Sequence, residues 1–173
     1  DYGEAEDLLS KAVDLCEQSN VLIIAAAGND GCKCLHVPAA LPMVLAVGAI
    51  DNLGKPMEFS NWGDAYQTQG ILAPGEDIPG AKPGGGVTKS SGTSFASPIV
   101  SGVAALLLSL QIQHGEKPNP HKVRDAILNS ALPCDNEDVN HHCLAGKLNI
   151  LGATYLLQGE KMSEQLSEQL EAI

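Results

Sequence analysis

The chain has 173 residues, of which 44% are hydrophobic, enough for one α/β unit with a sizeable core. Aromatic residues make up only 3%, so that core must be built mainly from Ala, Val, Ile and Leu. Ten basic residues against 21 acidic ones give a net charge of −11, which argues against nucleic acid or an anionic membrane surface as a partner.

The apolar pattern predicts alternating helices and strands, which is typical of a parallel sheet with helical crossovers. The first helix is predicted over 8–18, and one face of it would carry Leu8, Leu9, Ala12, Val13 and Cys16. The elements that follow are strands at 21–27, 43–49, 70–72 and 87–90, and then helices from Ser94, Pro120 and Asn149.

The first predicted strand is fully apolar and runs into Ala27-Gly28-Asn29-Asp30-Gly31. An amide side chain fixed just beyond a strand end is a suitable hydrogen-bond donor to an oxyanion, because it is neutral and directional. On its own, the same short sequence would usually be only a turn.

A second motif, Gly92-Thr93-Ser94-Phe95-Ala96-Ser97-Pro98, places a serine where a glycine turn gives way to an apolar run. At a helix N-terminus, free backbone N–H groups favour the negative charge that develops during acyl transfer, so Ser94 could act as a nucleophile. The alternative is that Thr93 or Ser94 only caps a helix. The run at 99–108 predicts a helix buried in a large core, too short and too interrupted to cross a membrane.

Together the two motifs resemble the subtilisin-like (subtilase) serine proteases, over residues 8–157. The resemblance implies that Ser94 is the nucleophile and that Asn29 is the oxyanion-hole asparagine. It also implies an α/β fold of three layers, with a mostly parallel sheet flanked by helices. Four more segments match in order: Val37-Pro38-Ala39-Ala40-Leu41-Pro42, Val44-Leu45-Ala46-Val47-Gly48-Ala49, Phe59-Ser60-Asn61-Trp62-Gly63 and Leu72-Ala73-Pro74-Gly75.

The aspartate and histidine motifs of the subtilase triad, which precede the asparagine, do not occur in this sequence. We expect His114, Asp30 and Asp51 to have turn or surface roles instead. The resemblance therefore predicts that residues 1–158 are the C-terminal portion of a catalytic domain whose N-terminal part, an upstream segment, supplies both groups. Residues 159–173 are predicted to be a helical extension or linker, with one apolar face formed by Met162, Leu166, Leu170 and Ile173.

Five cysteines leave at least one unpaired if all pairing is internal. Cys134 and Cys143 bracket a polar insertion that a disulfide could pin, and free thiols are the alternative. A zinc site is disfavoured because Cys-x-Cys lacks the usual ligand spacing, so we expect no metal and no cofactor. The zinc ligands considered were Cys32, Cys34, His36, His141, His142 and Cys143.

Within the subtilases, the chain is similar to cyanobactin maturation enzymes of the patellamide type. The segments that carry this similarity are residues 31–40, 117–120, 131–135 and 143–150. The resemblance implies a serine endopeptidase that removes the leader of a ribosomal precursor peptide through an acyl-enzyme. Phe95 favours this protease over the related macrocyclase, which transfers the acyl group to the substrate's own amine. An inactive binding module is a third alternative.

The same resemblance implies a pocket for the residue before the scissile bond. Ala25, Ala26 and Gly28 match its wall and His36 matches its floor, which would favour a small side chain; a hydrogen-bonded loop histidine is the alternative for His36. The expected partners are the precursor peptide and the upstream segment, with no nucleic acid and no membrane. A cytoplasmic location is the expectation.

Overall fold

The computed structural model describes residues 3–134 and 142–159. Its centre is a parallel sheet in the order β1, β2, β3. These strands are β1 (Ile24–Ala26), β2 (Leu45–Ile50) and β3 (Gly70–Pro74). All six residues of β2 are buried, as expected for a parallel strand with both faces covered.

Helices cover both faces of this sheet, which confirms the predicted layers. Leu45 and Val47 of β2 pack on the face that holds α3, and Ala46 between them packs on the face of α2. The first face carries α3 (Thr93–Gln113), α4 (Pro120–Asn129) and α5 (Ile150–Gln158). The second carries α1 (Gly3–Gln18) and α2 (Tyr66–Gln69).

An antiparallel hairpin between β3 and α3 departs from the predicted parallel arrangement. Strand β4 (Ile78–Ala81) pairs with β5 (Val87–Ser90), and only β5 was predicted. Gly84, Gly85 and Gly86 all have positive φ at the turn, which glycine adopts without strain. The short helix α2 was also not predicted, because four residues carry too little periodicity to be recognised.

Both predicted apolar helix faces are more exposed than expected. On α1, Val13 is buried but Leu8 is 71% exposed. On α3, residues such as Val100, Val103 and Leu107 enter the core, whereas the opposite side is bare, so α3 is not buried all round. The reason is that α3 rests on the sheet along one side only.

The argument that the α3 run is too short to cross a membrane is wrong. Among residues 3–134 and 142–159, α3 is the one helix long and apolar enough, by length and composition. A core helix of the same composition passes that test too. Its buried side chains pack with those of the sheet, which is the packing of a core helix.

Two disulfides are present in the described part of the chain. Cys134 and Cys143 are bonded, with Cα atoms 6.0 Å apart, and so are Cys32 and Cys34, at 5.2 Å. Cys16 is free. These bonds remove three of the thiols considered as zinc ligands, and the described residues contain no group of three His, Cys, Asp or Glu that could hold a metal. Disulfides are rare in cytoplasmic proteins, so this pairing gives no support to the expected location.

Other predictions fall outside the described residues. His141 lies there, and so does the predicted apolar face of the C-terminal extension. Helix α5 ends at Gln158, and Gly159 follows as its C-cap with φ of 64°.

Candidate active site

The predicted nucleophile lies at the N-terminal end of α3. The chain leaves β5, turns at Gly92 with φ of 150°, and enters the helix at Thr93. The Gly92 N–H donates to the carbonyl of Gly75, which follows β3, at 2.8 Å. This bond ties the start of the helix to the end of the sheet. Thr93 is fully buried, whereas Ser94 is exposed and free to meet a substrate.

Asn29 reaches the same helix end from the loop after β1. Its side-chain oxygen Oδ1 accepts two hydrogen bonds from Thr93, one from the backbone N–H at 2.9 Å and one from Oγ1 at 3.0 Å. Thr93 Oγ1 in turn accepts from the Gly28 N–H at 3.3 Å. Because Oδ1 accepts both bonds from Thr93, the Nδ2 group of the Asn29 amide points away from Thr93.

Two hydrogen-bond donors near the N-terminal end of α3 thus remain available. Neither Asn29 Nδ2 nor the Ser94 backbone N–H has a partner within residues 3–134 and 142–159. One is a neutral amide and the other belongs to the first turn of a helix, where the dipole favours negative charge. This is the arrangement that stabilises the oxyanion of a tetrahedral intermediate.

Asn61 fixes the backbone around Asn29, a role that the sequence argument missed. Its backbone N–H donates to Gly28 O at 3.0 Å. Its side-chain Oδ1 accepts from the Asp30 N–H at 2.7 Å, and its Nδ2 donates to the Asp30 carboxylate at 2.9 Å. The only sequence signal was its place in the Phe-Ser-Asn-Trp-Gly match, which gave no reason for the residue type.

The predicted pocket residues are only partly brought together. A Cβ atom built on Gly28 would lie 2.9 Å from His36 Nδ1, so the absence of a side chain there makes room for the imidazole. His36 Nε2 lies 3.2 Å from the Asp30 carboxylate. Ala25 and Ala26 are successive strand residues whose side chains point to opposite faces of the sheet. They can line one pocket together only through their backbone, and the pocket itself stays a prediction.

Tyr66 of α2 supports the loop that carries His36. Its hydroxyl accepts a hydrogen bond from the His36 N–H at 2.9 Å and lies 3.2 Å from the carbonyl of Ala27. Burial raises the pKa of the Tyr66 phenol, and the bond from His36 lowers it by less. The neutral phenol therefore persists as a buried support between the β1 loop and the His36 loop.

The alternative triad members lie elsewhere or are already engaged. His114 caps the far end of the 21-residue α3, about 30 Å from Ser94 at 1.5 Å per residue. Asp51 accepts from the N–H groups of Leu53 and Lys55 in a turn. Ser94 Oγ has no hydrogen-bond partner in the described part of the chain.

Comparison with known proteins identifies the family to which this chain belongs. The Subtilase family (Peptidase_S8) matches residues 2–160. Among solved structures, the chain is 68% identical to the prenylagaramide maturation protease PagA with a TM-score of 0.83, covering 85% of this chain and 54% of PagA. It is 65% identical to the patellamide maturation protease PatA with a TM-score of 0.87, covering 92% and 59%.

Two more distant proteins complete the comparison. The PatG macrocyclase, solved with a peptide, is 44% identical with a TM-score of 0.85, covering 88% of this chain and 47% of that one. The cell wall-associated protease of Bacillus subtilis (strain 168) is 46% identical over 90 residues, which are 52% of this chain and 10% of that protein. The chain thus spans about half the length of the solved chains that it matches.

Proposed function

Since the chain belongs to the subtilase family, we propose that it is the nucleophile-bearing part of a serine endopeptidase that acts on a ribosomal precursor peptide. The cleavage would separate the leader of that peptide from the segment that follows. The aspartate and histidine of the triad would come from an upstream segment of the same domain. The proposal rests on the residues around Ser94 and on the relatives that they resemble.

The proposed reaction begins with attack of Ser94 Oγ on a peptide carbonyl, while the upstream histidine takes the hydroxyl proton. The oxyanion that forms would accept hydrogen bonds from the Ser94 N–H and from Asn29 Nδ2. The C–N bond then breaks, and the amine leaves with the proton returned by the histidine. Water adds to the acyl-enzyme in the same way and releases the acid.

The observation that carries this proposal is the double hydrogen bond from Thr93 to Asn29 Oδ1, at 2.9 and 3.0 Å. It engages the oxygen of the amide and so leaves Nδ2 as the end that would face the reacting carbonyl. Donors that are already oriented lose no reorganisation energy when charge develops, and this preorganisation is the main source of oxyanion stabilisation. A serine that only capped the helix would need no such arrangement.

Leader removal is favoured over macrocyclisation by two observations. Identity to the maturation proteases PagA and PatA is 65–68%, against 44% to the PatG macrocyclase. Phe95 after the nucleophile also favours the protease. Both reactions would use Ser94 and Asn29 in the same way, and they differ in whether water or the substrate amine takes the acyl group.

The test is mass spectrometry of a precursor peptide after incubation with the complete enzyme. We expect two linear fragments whose masses sum to that of the peptide plus one water, and no cleavage by the Ser94→Ala variant. A cyclic product, which lacks that added water, would establish the macrocyclase instead. Cleavage that survives Ser94→Ala would remove Ser94 as the nucleophile, and binding without cleavage would indicate an inactive binding module.

A further inference from the structure

Asn61 is a buried polar residue next to the candidate site that makes hydrogen bonds with both its side chain and its backbone. It is only 1% exposed, and it makes the three hydrogen bonds to Gly28 and Asp30 described above. Those two residues flank Asn29 directly. The backbone is therefore held on both sides of Asn29 by one residue, which lies 32 positions away in the sequence.

Apart from the bonds described above, the loop is tied by the Gly31 N–H, which donates to Phe59 O at 2.8 Å. Gly28 and Gly31 have φ of 108° and 63°, so the loop turns at two glycines, and Asn29 between them is exposed. Thr93 fixes the side-chain oxygen of Asn29 but bonds to no backbone atom of that residue. An oxyanion donor loses its effect when it is displaced by a fraction of an ångström, so its backbone must be fixed as well.

The residue type at position 61 also fits this task. The side chain must accept from the Asp30 N–H and donate to the Asp30 carboxylate at the same time. Asparagine has both groups on one short side chain, whereas aspartate lacks the donor and leucine lacks both. Without the acceptor, the Asp30 N–H would lose a short hydrogen bond in a partly buried site.

We infer that Asn61 is a positioning residue for the oxyanion hole, which holds the backbone on both sides of Asn29 so that Nδ2 faces the reacting carbonyl. Asn61 does not touch the substrate in this role; it acts through Asn29. The inference rests on the proposed function, since it assigns Asn61 to the same reaction.

The experiment is a double-mutant cycle in the complete enzyme, with Asn61→Leu, Asn29→Leu and the two combined. We expect Asn61→Leu alone to lower kcat by about 10-fold or more and to change KM by less than about 2-fold, because the lost interaction is made in the transition state. In the Asn29→Leu background the same change should lower kcat by less than about 2-fold. An equal loss in both backgrounds would overturn the inference.

Ser60→Ala is the matched control, because Ser60 precedes Asn61 and is also buried. Its Oγ accepts from the Ala49 N–H of β2 at 3.1 Å, away from the Asn29 loop. We expect this variant to lower the melting temperature while leaving kcat within about 2-fold, since the bond that it loses does not hold Asn29. If Asn61→Leu does not fold, Asn61→Ala replaces it in the cycle, because it removes both side-chain hydrogen bonds to Asp30 and adds no charge.

A crystal structure of Asn61→Leu separates this inference from the proposed function. We expect the Asn29 amide to leave the position in which Oδ1 accepts from Thr93. An amide that stays in place would overturn the positioning role, whatever the activity. Absence of Ser94-dependent cleavage in the wild-type enzyme would instead refute the proposed function, and the displaced or undisplaced amide would still decide the role of Asn61.

Discussion

The N-terminal end of α3 and its outer face differ in how many contacts they make with the other described residues. At its N-terminal end, Thr93 is buried and hydrogen-bonded to Asn29 and Gly28. Along its outer face, which we define as Ser101, Gly102, Ala105, Leu106, Ser109 and Ile112, apolar side chains are bare, and Leu106 is 66% exposed. The described residues thus bring together the candidate oxyanion-stabilising groups, whereas none of them covers the outer face of α3. The proposed upstream segment would supply that cover together with the histidine and aspartate.

The largest expected effect is the loss of activity when the chain is studied on its own, without the proposed upstream segment. We expect the purified 173-residue chain to hydrolyse peptides at least about 10⁴-fold more slowly than the complete enzyme, because a serine without its base is a weak nucleophile. Peptide hydrolysis by both proteins at equal concentration measures the ratio. Ser94-dependent hydrolysis by the chain alone, at a comparable rate, would mean that this chain contains the base after all.

Asn29→Leu tests the N-terminal end of α3, where Asn29 is bonded to Thr93. In the complete enzyme, kcat should fall on the order of 100-fold or more with KM nearly unchanged, which is the loss seen when a subtilisin loses its oxyanion-hole asparagine. The backbone N–H of Ser94 would remain as the second donor, so some activity should persist. Steady-state kinetics on a peptide substrate gives both constants. An unchanged kcat would remove Asn29 from the oxyanion hole.

Leu107 and Leu106 are neighbours in the sequence, and they allow the core-facing side of α3 to be compared with its outer face. Leu107 is 1% exposed and Leu106 is 66% exposed. In the isolated chain, if it folds cooperatively, Leu107→Ala should lower the free energy of unfolding by about 2 kcal/mol or more, and Leu106→Ala by less than about 0.5 kcal/mol. Urea unfolding measures both. In the complete enzyme, Leu106→Ala should become costly, and no increase there would contradict a cover over this face.

His36→Gly gives the smallest expected effect, a change in specificity. If His36 forms the floor of the pocket, its removal should let a larger side chain bind before the scissile bond. The preference for leucine over alanine at that position should then rise by about 10-fold or more. Competition between two peptides that differ only at this position measures the ratio, and His114→Gly, at the far end of α3, is the control. The same preference in His36→Gly and wild type would make His36 a loop residue that supports Asp30.

The sequence was sufficient for the central sheet and for the helix that carries Ser94, because their apolar runs are long and strongly biased. It could not reveal that one face of α3 would be exposed, since the apolar pattern of a helix does not say which other elements pack against it. It also gave no role to Asn61 or Tyr66. Their functions depend on contacts with loops 31 and 30 residues away, and no local pattern encodes such contacts. The sequence did identify Cys134 and Cys143 as a candidate disulfide, whereas the bond between Cys32 and Cys34 was not predicted.

The hydrogen bonds between Asn29 and Thr93 also have a consequence for the time course of folding. The two residues are 64 positions apart, so their meeting requires closure of a long loop and cannot occur while β1 and α3 form separately. The proposed nucleophile and the amide that would stabilise its reaction are therefore brought into position together, when the helix docks on the sheet. A partly folded chain would expose Ser94 without an oriented amide, so the proposed cleavage of neighbouring peptides could not begin before the core is complete.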